Sequence, residues 1–493
     1  YAPICLPLLS EQFVLSMPFA LLAAMREEPD FALSSSALDV VLATGTGLNA
    51  VGKIGAGVLI DTIGPRKFLS VSMLLMAIGS CLFGTGSMIV GPAIGFVVLQ
   101  LCAAGGWLSA CKIIEGSFES SQWSSCFAVV GISSRFGSVC SKLGLGALLK
   151  FLPWRQVAMV TGLIMLAFWC ITMRILPADN PAISKRDRVG SGPEELDVGV
   201  APGNNSNNHK KNSNNSNNSN NNSSNNHNNN NNSNNNHNHN NNNDAKLDRG
   251  MRLRAILLNP GMILYSCVAA CCYCQTGAFE SLSPMLIHDV LHLSPSDVGM
   301  SAASFPAGLL MALLVIAPAY AFLELRTSKF LLELLLQSLY LVAVAALLVV
   351  LQLATVPLLP VVTCLFMLAF SNGLTYYVTI NSFPLTFGED CATASAVMDV
   401  VGLLSSVLFQ LAVGGIFSNK GGSSAVEGWV QVMWILTAMS LFELFCTSLL
   451  LINPGLTPHI FEKLPPPTRN SEELALTPDH AQIIGSSHDE VDS

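Results

Sequence analysis

Twelve apolar stretches, each about the length of a helix that crosses a bilayer, leave this chain few folds to choose from. A spanning helix needs about 20 mostly apolar residues. Such stretches lie at 2–24, 37–60, 68–88, 91–111, 124–147 and 154–176, and again at 259–282, 299–322, 330–352, 355–380, 391–417 and 428–452; in this order they are spans 1–12. Composition removes the soluble alternative. Hydrophobic residues make up 51% and charged residues 11%, with a mean hydropathy of +0.49, whereas ordinary soluble domains are roughly 25% charged. The lipid bilayer is the solvent such a chain requires. The pattern predicts an all-α membrane protein of twelve transmembrane helices in two six-helix halves, 1–176 and 259–452.

Between the halves, 177–258 is hydrophilic, and its 204–243 tract is dominated by Asn, Ser and His. So little apolar side chain cannot offset the entropy of ordering, which predicts a disordered linker. His209, His227, His237 and His239 in that tract are read either as metal ligands or, more simply, as histidines scattered in a polar repeat. Residues 453–493 read as a disordered tail.

Orientation follows from Lys and Arg near the span ends. The linker carries Lys185, Arg186, Arg188, Lys246, Arg249, Arg252 and Arg254. Arg66 and Lys67 lie between spans 2 and 3, and Arg326 and Lys329 between spans 8 and 9. All three are even-numbered loops, so the linker, these loops and the tail are expected on the cytoplasmic side. The acidic pair Glu389 and Asp390 also falls on that side, and acids weigh little in this rule.

The net charge of −8 sits largely in loops and tail, so it does not argue for a nucleic-acid partner, and none is expected. The 14 cysteines show no disulfide or metal spacing. Cys271, Cys272 and Cys274 read as small packing residues, with a thiol metal site as the sharper alternative, so no cofactor is expected. The chain opens at Tyr1, already apolar, and a short N-terminal tail ahead of it is expected.

The join between spans 2 and 3 reads GVLIDTIGPRK, 57–67. Gly57 is expected to permit close helix approach. Asp61 ends span 2 where a helix N-terminus from the other half favours a carboxylate, and Gly64-Pro65 forces a tight turn. Arg66 and Lys67 anchor at the cytoplasmic interface and can close an ion pair with Asp61. A topogenic basic loop with a turn is the plainer alternative. With Gly57, Asp61, Gly64, Arg66 and Lys67 in a G-x-x-x-D-x-x-G-x-[RK]-[RK] pattern, and six spans on either side of a break, the chain resembles the major facilitator superfamily over about 1–452, the linker apart. That resemblance implies two halves rocking about a midplane site, with this loop as a latch. The corresponding loop between spans 8 and 9, AYAFLELRTSK, keeps Glu324, Arg326 and Lys329 but lacks the G-x-x-x-D core.

Ionisable residues inside spans are costly and mark function by default. Glu11 lies in span 1, Lys53 in span 2, Arg135 and Lys142 in span 5, Asp399 in span 11 and Glu443 in span 12. Arg135 is the foremost substrate ligand, because its rigid fork matches a carboxylate or phosphate; the alternative is an ion pair with Glu11 or Asp399 that only fastens helices. Lys142 follows on the same face, two turns on. Lys53 reads as a cytoplasmic gate charge rather than a ligand contact, Glu11 as a coupling carboxylate or counter-ion, and Asp399 as an ion-pair or coupling group. Glu443 is given no role. Span 10 is unusually polar, with Asn372, Tyr376, Tyr377 and Asn381, which suit a substrate or a neighbouring helix equally well. In span 7, Tyr273, Gln275 and Glu280 form a weaker set. The resemblance implies that spans 1, 4, 7 and 10 line the cavity, with 2, 5, 8 and 11 contributing.

Two branches of that superfamily compete. NAVGKIGAGVLIDTIG (49–64) and SRFGSV (134–139) resemble the lysosomal dipeptide uniporters, where the span 5 arginine is implied to hold a peptide carboxylate. Lys53, and TASAVMDVVG at 393–402, resemble the organophosphate:phosphate antiporters instead, although spans 1 and 7 lack the arginines of that branch. DHAQII (479–484) has the form of an endolysosomal sorting signal. The expectation is a secondary transporter of a small polar solute, dipeptides or other carboxylate-bearing solutes first, in a lysosomal, vacuolar or plasma membrane. Organic-anion exchange is the alternative, and a non-transporting sensor or accessory-subunit role on the same fold is the alternative of another class. No nucleophile–base set or metal cluster appears in the spans, so an enzyme is not expected.

Overall fold

The computed structural model describes residues 2–28, 35–85, 90–118, 122–176, 254, 256–323, 325–353, 355–379, 383, 391–418 and 425–456. The Asn-rich tract, Asn381, Glu324, Glu389, Asp390 and the sorting-type hexamer lie outside these residues, as does the side chain of Asp61. Among the described residues the regular structure is helical throughout, and the helices fall on the twelve expected spans.

Ten of the twelve are both long and apolar enough to cross a membrane. The other two, Ser35–Ile63 (span 2) and Trp123–Leu148 (span 5), are 29 and 26 residues long. They carry Lys53 and Asp61, and Arg135 and Lys142, and these charges lower their hydropathy while leaving them long enough to span. Span 3 is Pro65–Thr85, span 6 Trp154–Ile175, span 9 Arg326–Leu351, span 10 Leu358–Tyr377, span 11 Cys391–Ser418 and span 12 Ala425–Ile452.

Four spans are interrupted. Span 1 runs as Ala2–Leu15 and Met17–Arg26, where Pro18 opens the second segment and cannot donate into the turn before it. Span 4 breaks between Val90–Ala103 and Gly106–Ser117 at a Gly pair, Gly105 and Gly106. Span 8 breaks between Pro295–Ala302 and Ser304–Phe322. In span 7, Pro260–Tyr273 and Phe279–Leu291 are joined by a π-helical turn at Cys274–Ala278. Such one-residue insertions collect at functional sites.

The two halves meet along three seams: span 2 on span 11, span 5 on span 8, and the second segment of span 1 on spans 7 and 8. The span 5–span 8 seam closes on a glycine pair. A Cβ on Gly146 would lie 2.9 Å from the Met300 amide nitrogen, and one on Gly299 would lie 3.1 Å from Gly146 Cα. Ser296 Oγ donates to the Gly146 carbonyl at 2.7 Å in the same place. Nearby, Arg26 pairs with Asp289 at 2.8 Å, Asp289 also accepts from Trp429 Nε1 at 3.3 Å, and Lys150 approaches Asp297 at 3.9 Å. The Arg26–Asp289, Lys150–Asp297 and Ser296–Gly146 contacts tie the halves together at the odd-numbered-loop end. Outward-facing Leu335, Leu359, Leu408 and Phe445 are exposed, as a lipid-facing surface should be.

At the other end, Gly64 takes a φ of 89° between spans 2 and 3, which explains a glycine there. Gly57 departs from the expectation: among the described residues, a Cβ at this position would meet nothing within 4 Å, so no close helix approach is seen there. That role in span 2 falls to Gly52, whose Cβ would sit 2.9 Å from Ala104 Cβ.

Candidate functional site

At mid-depth, where the interrupted spans 1, 4 and 7 face one another, the halves enclose a cavity of about 240 Å³. Spans 1, 2, 4, 5, 7, 8, 10 and 11 all contribute to its wall. The charges are divided between the halves. Glu11, Lys53 and Arg135 face it from the N-terminal half, and Glu280 and Asp399 from the C-terminal half.

Arg135 Nη1 donates to Glu280 Oε2 at 2.9 Å, and its guanidinium lies 4.5 Å from the Tyr376 ring centroid. The ring's negative face adds to the hold on the cation. Helical spacing puts Arg135, Ser138 and Lys142 on one face of span 5, and all three converge on Glu280. Ser138 Oγ donates to Glu280 Oε1 at 2.6 Å, and Lys142 Nζ donates to the Glu280 carbonyl at 3.1 Å. Glu280 can be brought here because the π-helical turn ends two residues before it.

The second pair crosses the span 2–span 11 seam. Lys53 Nζ meets Asp399 Oδ2 at 2.6 Å, and the Tyr273 hydroxyl donates to Asp399 Oδ1. Ser406 Oγ holds the Tyr273 carbonyl at 3.0 Å, and the Tyr273 and Tyr376 rings lie 5.9 Å apart. Two uncharged links extend the seam: Thr46 to Gln410 at 3.2 Å, and Gln410 to Ser281 at 3.2 Å. On the N-terminal wall Asn49 is held by the Gln100 side chain and carbonyl, both at 3.1 Å. The Glu11 carboxylate occupies the space above Gly106, where a Cβ would lie 1.6 Å from Oε2. A side chain at Gly106 would evict it.

The structure therefore brings Glu11, Lys53, Arg135, Tyr376 and Asp399 to one cavity. It does not bring Lys142 or Asn372 there. Lys142 is fully buried on Glu280, and Asn372 Nδ2 donates to Gln275 Oε1 at 2.7 Å within the C-terminal half. Lys53 also departs from the gate reading, since it sits in the cavity wall, eight residues before the loop aspartate. The expected alternatives for Arg135, Glu11 or Asp399, are both displaced by Glu280. Glu280 and Tyr273 are the cavity residues that sequence reasoning under-weighted. The usable signal was an acid inside span 7 where the other half offers two cations. In the 57–67 loop, Arg66 reaches the Met173 carbonyl at the end of span 6, at 3.4 Å, and Lys67 is exposed. No group of three or more metal-type ligands occurs among the described residues.

The family model described as Major Facilitator Superfamily matches residues 8–410. No curated protein matches the chain.

Proposed function

Because the chain belongs to the major facilitator superfamily and is thus a membrane transporter rather than a member of an enzyme family, we propose that its cargo is a small zwitterion, dipeptides first, carried through the cavity by alternating access. The observation that carries this is the split of charge: cations Lys53 and Arg135 on the N-terminal wall, carboxylates Glu280 and Asp399 on the C-terminal wall, each cation paired to a carboxylate. A zwitterion offers one group of each sign. Its carboxylate replaces Glu280 on Arg135, while its ammonium replaces Lys53 on Asp399. The substrate thus exchanges one set of ion pairs for another. Displaced Glu280 keeps Lys142 at 3.7 Å, and displaced Lys53 has Glu11 on the same cavity wall. The charges therefore keep partners in the membrane, where a bare one is most costly. A phosphate dianion offers no ammonium for Asp399 and would add negative charge beside Glu11, Glu280 and Asp399, which weighs against organic-anion exchange.

With even loops cytoplasmic, the sealed end in this structure faces away from the cytosol, toward the lumen or the cell exterior. Arg26–Asp289 and the Gly146–Gly299 contact would then separate when the carrier turns.

Proteoliposomes holding the purified protein, offered dipeptides, sugar phosphates or inorganic phosphate, test the substrate class. Dipeptides are expected to accumulate or exchange well above protein-free vesicles, and the phosphates are not. Flux of a phosphate ester without dipeptide flux would reject this reading, as would thermal stabilisation by one solute with no flux of any.

A further inference from the structure

We propose that Glu333 and Glu443 form a proton-binding site inside the C-terminal half, separate from the central cavity. Glu333 (span 9) and Glu443 (span 12) are 1% and 2% exposed, and neither lines the cavity. Among the described residues no Lys, Arg or His pairs with either. The contrast with Glu280 and Asp399 is direct, because each of those holds a cation. A bare carboxylate in such surroundings costs several kcal/mol, so a neutralising cation belongs here.

Neighbouring polar atoms indicate which one. Gln337 Nε2 donates to Glu443 Oε1 at 3.3 Å and to Thr447 Oγ1 at 2.9 Å. That leaves Gln337 Oε1 with no partner, together with both carboxylate oxygens of Glu333. The hydroxyls of Tyr265, beside Glu333, and Tyr340, beside Glu443, are likewise buried without a partner. Each hydroxyl carries a donor as well as an acceptor, so the purely accepting atoms without a partner are Gln337 Oε1 and the two Glu333 oxygens. A proton supplies a donor: hydronium gives it up, one carboxylate becomes a neutral carboxylic acid, and water leaves. Two carboxylates fall short of the six or more oxygen ligands a calcium-type site uses.

The other titratable neighbours are weak acids, Cys271 and Cys272 on span 7, Tyr320 on span 8 and Cys446 on span 12. The bases of span 9 lie toward its even-loop end. They are Arg326, whose guanidinium donates to the Leu450 and Leu451 carbonyls, and Lys329, one turn before Glu333, whose Nζ lies 5.3 Å from the Tyr320 ring centroid. Glu333 lies seven residues along span 9 from Arg326, about 10 Å by helix rise, so the proton's way in is from the even-loop end. A route inward also exists. Gln275 Nε2 donates to Ser440 Oγ, one turn before Glu443 on span 12, at 3.1 Å, and its Oε1 accepts from Asn372 Nδ2 at 2.7 Å. It belongs to the π-helical turn between Tyr273 and Glu280, so occupancy at the pair can be felt by two cavity residues.

The test needs no transport substrate. In the full-length wild-type protein in lipid nanodiscs, dicyclohexylcarbodiimide, which adds only to protonated buried carboxyls, should form an N-acylurea on Glu333 or Glu443, located by peptide mass spectrometry, and labelling should fall as pH is raised. In parallel, the infrared carbonyl stretch of protonated carboxyl groups at neutral pH should lose intensity in Glu333→Gln or Glu443→Gln. Absence of the adduct from both residues in the wild-type protein at all pH values overturns the proposal, however the variants fold. An infrared band unchanged in both well-folded variants does so as well.

Discussion

Arg135→Ala should bring uptake down to the level of empty vesicles while the protein still reaches its membrane. Truncating one partner of a buried, hydrogen-bonded charge pair costs about 2–5 kcal/mol, and 2.8 kcal/mol is already roughly 100-fold in affinity. The loss has two sources. The substrate carboxylate loses its fork, and Glu280 is left with Lys142 as its remaining cation, at 3.7 Å. Stability and transport can be separated, because Glu280 and Lys142 remain a balanced pair in this variant. Folded yield and thermal midpoint should therefore fall far less than in Glu280→Gln, which strands both Arg135 and the buried Lys142. Uptake by Arg135→Ala should be absent all the same. Normal transport by Arg135→Ala, measured at matched protein in vesicles, would remove Arg135 from the site.

Asp399→Asn should weaken dipeptide uptake by roughly 10-fold or more, since about 1.4 kcal/mol is tenfold and Asp399 anchors both Lys53 and Tyr273. The more revealing variant exchanges the pair, Lys53→Asp with Asp399→Lys. It restores an ion pair across the span 2–span 11 seam and should recover folded protein. It also reverses the polarity of the two walls, so a zwitterion bound to the unchanged Arg135 would meet a cation where its ammonium should go. Uptake is therefore expected to remain low. Wild-type uptake in the exchanged variant would show that the pair only fastens helices.

Much of this fold was legible because lipid imposes one demand, some 20 mostly apolar residues per helix, and ten of the twelve spans meet it outright. Span 5 was readable although it fails a strict hydropathy test, because Arg135 and Lys142 fall on one face of an otherwise apolar run. Partnerships were harder to read. Arg135 finds Glu280 through a π-helical turn, and nothing in the residue pattern of 274–278 announces an extra residue. Lys142 and Asn372 have the chemistry of ligands but face helices, a distinction that depends on helix rotation rather than composition. Gly57 fits the loop pattern, yet among the described residues no neighbour comes close enough to require its small size.

The account rests on a solute that presents a carboxylate to Arg135 and an ammonium to Asp399 at once. It is tested most directly by uptake of one dipeptide in three forms, free, N-acetylated and C-amidated, into vesicles holding the wild-type protein. Free dipeptide should be transported, and blocking either end should reduce uptake by about tenfold or more, the effect of losing one charge-assisted contact. Equal uptake of all three, or of none while a phosphate ester crosses, would contradict it.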